Sequence, residues 1–125
     1  MRSLFLLFFI GTVVSTDIFI VLRAHSARTP IGTAELFVYD AEPARVDDKL
    51  KMQMKINYGE HHLIKFSYFE FTGIDPYLLI YYTVKHDNRV FQTLTIPICD
   101  NCFLSRSFDL DINLDTREYI LKEIS

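Results

Sequence analysis

The segment Lys49-Leu50-Lys51-Met52-Gln53-Met54-Lys55-Ile56 alternates strictly, with Leu50, Met52, Met54 and Ile56 in one phase and lysines dominating the other. Successive side chains of a strand point to opposite faces, so this period of two predicts an amphipathic strand with one wet face. Phe108 to Leu114 repeats the pattern, with Phe108, Leu110, Ile112 and Leu114 inward and Asp109, Asp111 and Asn113 outward, and Val90, Gln92, Leu94 and Ile96 alternate more weakly. Ile18 to Leu22, Glu35 to Tyr39, Leu63 to Phe71 and Tyr77 to Val84 are denser apolar runs. They are bounded by turn chemistry at Thr29-Pro30, Glu42-Pro43, Asn57-Tyr58-Gly59, Asp75-Pro76 and His86-Asp87-Asn88. A wet face argues for antiparallel pairing, since parallel sheets are generally covered on both sides. About seven such strands joined by short turns predict an all-β fold, a two-sheet antiparallel sandwich whose inner faces form one core. The C-terminal stretch breaks the pattern. Asp115-Thr116-Arg117-Glu118 has the form of a capping box opening a short helix, and reads equally as a turn into an edge strand through Tyr119 and Ile120. We expect the helix or a frayed tail.

At the other end, Arg2 precedes an apolar run from Leu4 to Ile10, and Val13 and Ser15 are compact residues at positions minus three and minus one of a cleavage site. That is the layout of a secretory signal peptide over residues 1–15, leaving residues 16–125 as one domain. An uncleaved anchor from Leu4 to Leu22 is the competing reading. Gly11, Thr12, Ser15, Thr16 and Asp17 interrupt it, and an Asp near the centre of a span costs about 2.5–3.5 kcal/mol. No later stretch approaches the roughly 20 apolar residues of a transmembrane helix, so the expectation is a secreted, extracellular chain with no transmembrane span once the leader is removed.

Composition narrows the choice of fold and partner. There are 11 Phe and 7 Tyr but no Trp, and the two cysteines lie three apart, which argues against an immunoglobulin domain with its inter-sheet disulfide packed on a Trp. Thirteen basic against 16 acidic residues, a net charge of −3, with no basic cluster, excludes nucleic acid as the expected partner.

Cys99-Asp100-Asn101-Cys102 admits several readings. A redox site wants its first Cys at a helix N-terminus, whereas Phe103-Leu104-Ser105-Arg106 leads into a strand. Zinc wants two further ligands that no second Cys pair or spaced His pair offers. In an oxidising compartment a disulfide pinning a turn is the simplest reading, with intermolecular or free thiols as the remaining ones. Asp109, Asp111, Asn113 and Asp115 imitate the opening of a calcium loop, but Leu114 stands where Gly is required and Ile120 where Glu is required. Asp40, Glu42, Asp47 and Asp48 read as a solvated acidic loop. The adjacent His61 and His62 point to opposite faces of a strand, and His25 and His86 lie in turns. No catalytic residue, metal or cofactor is expected.

Several segments together resemble the nematode transthyretin-like family. Pro30 to Asp40, PIGTAELFVYD, is similar to that family's second strand, and Gly73 to Tyr81, GIDPYLLIY, looks like its I-D-P-Y-L-x-I-Y signature. Thr93 to Pro97, TLTIP, and Phe108 to Leu114, FDLDINL, resemble its last two strands. The chain is a divergent member by this likeness. Tyr82, Thr83 and Val84 stand where the family usually has His-Asp-Cys, and residues around Ser26 replace an early Cys. The resemblance implies a prealbumin-type sandwich, secreted, that binds a cell-surface component, a lipid or an apolar small molecule. The related hydroxyisourate hydrolases rely on a C-terminal Tyr-Arg-Gly-Ser, and this chain ends in Tyr119-Ile120-Leu121-Lys122-Glu123-Ile124-Ser125. A binding module is therefore expected, a structural or oligomer-forming protein is the alternative, and a hydrolase is the weakest reading.

The run from Leu63 to Phe71 offers a candidate surface. Leu63, Lys65, Ser67, Phe69 and Phe71 share one phase and Ile64, Phe66, Tyr68 and Glu70 the other, so both faces carry bulky apolar groups. Either both pack into the core, or Ile64, Phe66 and Tyr68, flanked by Lys65 and Lys55, form an outward contact surface for an extracellular protein, a lipid or an apolar small molecule.

Overall fold

Alternation sets burial strand by strand. In β2 (Thr33–Asp40), Ala34, Leu36, Val38 and Asp40 are buried and the residues between them are not. In β7 (Arg106–Asn113), Phe108, Leu110 and Ile112 are buried while Asp109 and Asp111 face water. The structure, a computed structural model of the chain, describes residues 15–41, 49–69, 74–85, 91–102 and 104–124; the side chains of 15, 16, 49, 68 and 69 lie outside that description. Most of the leader expected over residues 1–15 therefore falls outside it, as do His86, Glu42, Asp47 and Asp48.

The remaining strands are β1 (Ser15–His25), β3 (Lys49–Asn57), β4 (His61–Phe69), β5 (Pro76–Tyr82), β6 (Gln92–Pro97) and β8 (Glu118–Ile124). They form two four-stranded sheets, ordered β4-β1-β7-β8 and β3-β2-β5-β6. No helix among the described residues is long and apolar enough to cross a membrane. One sheet turns Ile18, Ile20, Leu22, Ile64, Phe66, Phe108, Leu110 and Ile112 into the core, and the other turns Leu36, Val38, Ile56, Leu78, Ile80 and Ile96 into the same cluster. Each such side chain stabilises the fold by about 1.5–3 kcal/mol when fully buried, so the facing sheets hold each other as a sandwich.

Three expectations are corrected. There are eight strands among the described residues, where about seven were anticipated. The pairing is not wholly antiparallel, because β1 and β7 run parallel from Ile18 opposite Arg106 to His25 opposite Asn113. A parallel pair needs a long connection between its strands, and the whole second sheet together with β4 lies within it. The tail is neither helical nor frayed: β8 pairs antiparallel with β7 after a turn at Leu114–Arg117. The reason lies in what Asp115 does. Its carboxylate accepts hydrogen bonds from the Ser26 hydroxyl (2.7 Å) and from the backbone N–H groups of Ala27 (2.7 Å) and Arg28 (3.3 Å), so it caps another loop and no helix of its own. Asn113 Oδ1 accepts from the N–H groups of Asp115 (3.0 Å) and Thr116 (3.3 Å), and Arg117 adopts φ 65°, which closes the hairpin.

The two ends of the sandwich are fastened differently. At one end Tyr58 is buried over Gly32 and donates to the Thr83 carbonyl (2.7 Å). A Cβ on Gly32 would sit 2.6 Å from the Tyr58 ring, so glycine is required there. Burial pushes the Tyr58 phenol above its ordinary range. Beside it, Arg117 reaches across the sheets to Tyr82 Oη (2.9 Å), Gln92 Oε1 (3.2 Å) and the Thr93 carbonyl (2.6 Å). At the opposite end Cys99 and Cys102 are bonded to each other, with Cα atoms 6.1 Å apart. Cys102 pairs with Ile74 through backbone hydrogen bonds of 2.7 and 3.2 Å.

Candidate functional site

The five residues of the candidate surface are not brought together. Ile64 is fully buried and Phe66 nearly so, both pointing between the sheets, which corrects the outward placement of this phase. The outward phase of β4 is the other one: Leu63 is 64% exposed, and Lys65 lies with its Nζ 5.4 Å from the centre of the Phe19 ring on β1. Lys55 sits on β3, in the other sheet, where it opposes Glu35. The Tyr68 side chain lies outside the described residues.

The outer face of the sheet β3-β2-β5-β6 carries a different cluster. β2 and β5 pair with Glu35 opposite Tyr81, Phe37 opposite Leu79 and Tyr39 opposite Tyr77. β3 adds Lys55 beside Glu35, Gln53 beside Phe37 and Leu50 beside Tyr39. β6 adds Thr93 beside Tyr81, Thr95 beside Leu79 and Pro97 beside Tyr77. Three rows of four residues result, with Phe37, Tyr39, Tyr77, Leu79 and Tyr81 beside Glu35 at the centre, Lys55, Gln53 and Leu50 along one side and Thr93, Thr95 and Pro97 along the other. The rings touch one another. Phe37 and Tyr39 stack with centroids 6.4 Å apart, Tyr39 and Tyr77 stack at 5.6 Å with planes 19° apart, and Phe37 meets Tyr81 edge-on at 5.5 Å. Aromatic pairs of this geometry add about 0.5–1.5 kcal/mol beyond their buried area, so the rings hold one another in place without a covering layer. Tyr81 and Leu50 are exposed, and Phe37, Tyr39, Tyr77 and Leu79 are half-buried by their neighbours.

A bulge shapes one edge. Val38 opposes Met52 and Tyr39 opposes Leu50, so Lys51 is the extra residue on β3. Such a bulge bends the strand and increases its twist. At the same end a depression of about 290 Å³, bordered by Tyr77, Thr95, Pro97, Cys99 and Asp100, continues the apolar face toward the disulfide. The Asp75 carboxylate there accepts from the Asn101 N–H, and Asp40 accepts from the Asp75 N–H (3.0 Å), which fixes the turn that starts β5.

The other candidate groups are engaged in the fold. His62 Nε2 accepts the Asn57 N–H (3.0 Å), and so is an unprotonated nitrogen in that arrangement. His25 lies 3.5 Å from Asp111, which also pairs with Arg23 at 3.3 Å. His61 faces solvent on β4. The aromatic face was open to the sequence in one respect: Glu35 to Tyr39 and Tyr77 to Tyr81 carry large apolar residues in both phases, as Leu63 to Phe71 does. What singles it out is the pairing of β2 with β5, which places Phe37 and Tyr39 against Leu79, Tyr77 and Tyr81. Compared with protein families, with curated proteins and with solved structures, the chain matches none.

Proposed function

We propose that the chain is a secreted extracellular binding module of the transthyretin-like type, and that its ligand surface is the outer face of the sheet β3-β2-β5-β6. The aromatic face carries this reading. Most soluble monomers expose apolar residues singly, whereas contiguous patches of a few hundred Å² tend to be functional, and four rings with Leu79 form such a patch. Two further observations support it. Cys99 and Cys102 are bonded, as suits an oxidising compartment. The segments that resemble the transthyretin-like family, PIGTAELFVYD, GIDPYLLIY, TLTIP and FDLDINL, lead into or form β2, β5, β6 and β7 in order, within two four-stranded sheets. Of the described histidines, His25 ends β1 and His61 and His62 lie side by side on β4, away from the aromatic face, and the chemistry in this reading is recognition.

The test begins with expression of the full chain in cultured eukaryotic cells. We expect recovery from the medium with an N-terminus near Thr16; retention of Met1 in the membrane fraction defeats the secreted reading. The labelled protein should stain cell surfaces, and Phe37→Ala with Tyr81→Ala should remove the staining while the protein stays folded.

The oligomer-forming alternative keeps one specific observation in its favour. β8 is an edge strand with Ile120 61% and Ile124 49% exposed, and an uncovered edge of this kind is a template for pairing with another chain. Light scattering decides it: a dimer that Ile120→Lys dissociates favours assembly through β8, and a monomer removes the alternative.

A further inference from the structure

Resting on the binding-module reading above, we propose that the ligand of the aromatic face is a short, uncharged oligosaccharide whose sugar rings lie across Phe37, Tyr39, Tyr77 and Tyr81. Size, charge and edge chemistry lead to this class.

Size excludes a protein. Strands lie about 4.8 Å apart and residues two apart on a strand about 7 Å, so four strands by three rows make a face about 14 Å on a side. That is a few hundred Å² at most, well short of the roughly 800 Å² per partner of a stable protein interface, a second copy of this chain included.

Charge excludes an ion. The middle row, Gln53, Phe37, Leu79 and Thr95, carries none. In the row above it, Lys55 opposes Glu35, and at the far corner Lys51 stands on one flank while Asp100 borders the depression on the other. Opposite signs at opposite edges leave no net field for an anionic headgroup or a cationic peptide to follow.

Edge chemistry excludes a purely apolar molecule. The hydroxyls of Tyr39 and Tyr81, the amide of Gln53 and the hydroxyls of Thr93 and Thr95 are able to donate and accept hydrogen bonds. A ligand without polar groups that covered them would leave some unsatisfied, at a cost in affinity. A pyranose ring answers both demands. Its axial C–H groups form an apolar, slightly positive face that lies against the negative face of an aromatic ring, and its hydroxyls radiate in the plane toward the rim. Tyr39 and Tyr77 stack on each other, which fixes the direction of the ring surface they leave open.

The secreted protein is tested against an array of neutral and charged glycans, followed by calorimetry with cello- and chito-oligosaccharides at low and high salt. Binding to a neutral oligosaccharide that is unchanged by salt, and weakened about tenfold or more by Phe37→Ala with Tyr81→Ala, supports the proposal. Thr95→Arg is the second variant: it keeps every ring and sits on an exposed position of edge strand β6, yet puts a long charged side chain over Leu79, and it too should weaken binding. Neutral glycan binding that survives both variants, or binding restricted to sulfated or acidic glycans and lost in salt, overturns it. No glycan bound, with cell-surface staining still abolished by the Phe37 and Tyr81 double variant, overturns the sugar and leaves the binding face standing. No glycan bound and staining indifferent to the face removes both.

Discussion

The two outer faces of the sandwich are built by the same alternation and came out opposite in character. On the sheet β4-β1-β7-β8, three of the opposed outward pairs carry a charge, with Arg23 facing Asp111 at 3.3 Å, Phe19 under Lys65 and the Ser67 hydroxyl donating to Asp17, while Val21 opposite the exposed Leu63 is apolar. Beyond them Arg106 donates to Glu123 at 2.9 Å. On the sheet β3-β2-β5-β6 the opposed pairs are Phe37 with Leu79 and Tyr39 with Tyr77. Cross-strand pairs of either kind contribute roughly 0.2–1 kcal/mol each, so folding alone gives little reason to prefer rings over charges. The first face matches what solvent asks for, and the second departs from it. That departure is the ground on which the binding surface is proposed.

The comparison can be broken most forcefully from inside. Phe66→Ala should cost about 3–5 kcal/mol in urea denaturation, as a buried ring does, whereas Phe37→Ala, which loses two ring contacts but no core packing, should cost less, about 1–2 kcal/mol. Equal losses would mean that Phe37 is a core residue and that the outer face is ordinary packing. Reduction of the Cys99–Cys102 bond, which closes a very short loop, should lower stability by about 2 kcal/mol at most and leave both faces folded. Loss of near-ultraviolet circular dichroism on reduction would show that the depression beside Tyr77 depends on the bond.

Acid should act on the charged side and its neighbouring clasp before the aromatic one. Partial burial alone would raise the Asp115 carboxyl, but its bonds from Ser26, Ala27 and Arg28 together hold it below the usual carboxylate range. The Arg106 hydrogen bonds hold Glu123 down as well. A depressed folded pKa gives stability that is present above the unfolded value, near 4, and lost as pH falls through the lower folded value. Wild type should therefore lose stability more steeply below about pH 4 than Asp115→Asn, as read by thermal melts across a pH series. The smallest effect belongs to Arg23→Ala, about 0.5 kcal/mol or less for a surface pair and vanishing in salt.

How much of this was written in the sequence depends on the range of the interaction. β7 and β3 from Met52 onward are legible because each strand's own alternation against water specifies it, with Lys55, Asp109 and Asp111 marking the wet side, whereas the bulge at Lys51 turns Leu50 outward against its phase. The tail was illegible for the converse reason. Asp115 looks like a helix cap locally, and only its bond to Ser26, with a sequence separation of 89, turns it into a hairpin residue. In β4 the phase was readable but its polarity was not: Ile64 and Phe66 face inward and Leu63 outward, and both sets are apolar. The aromatic face sits between these cases. Phe37 and Tyr39 announce an apolar outward phase, but the pairing that sets them against Tyr77 and Tyr81 is tertiary information.

The place of β1 has a consequence for how the chain comes into being. It is the first strand among the described residues, yet it lies inside its sheet, between β4 and β7. A chain emerging N-terminus first presents β1 with both edges bare; β4 covers one, and the other stays open until Arg106 to Asn113 arrive. Such non-local closure is slow and leaves a strand edge exposed to other chains meanwhile. Synthesis stopped anywhere before β7 would release a molecule with the apolar run Ile18 to Leu22 of β1 half-paired, so late truncations should aggregate, while loss of β8 alone should leave β1 enclosed.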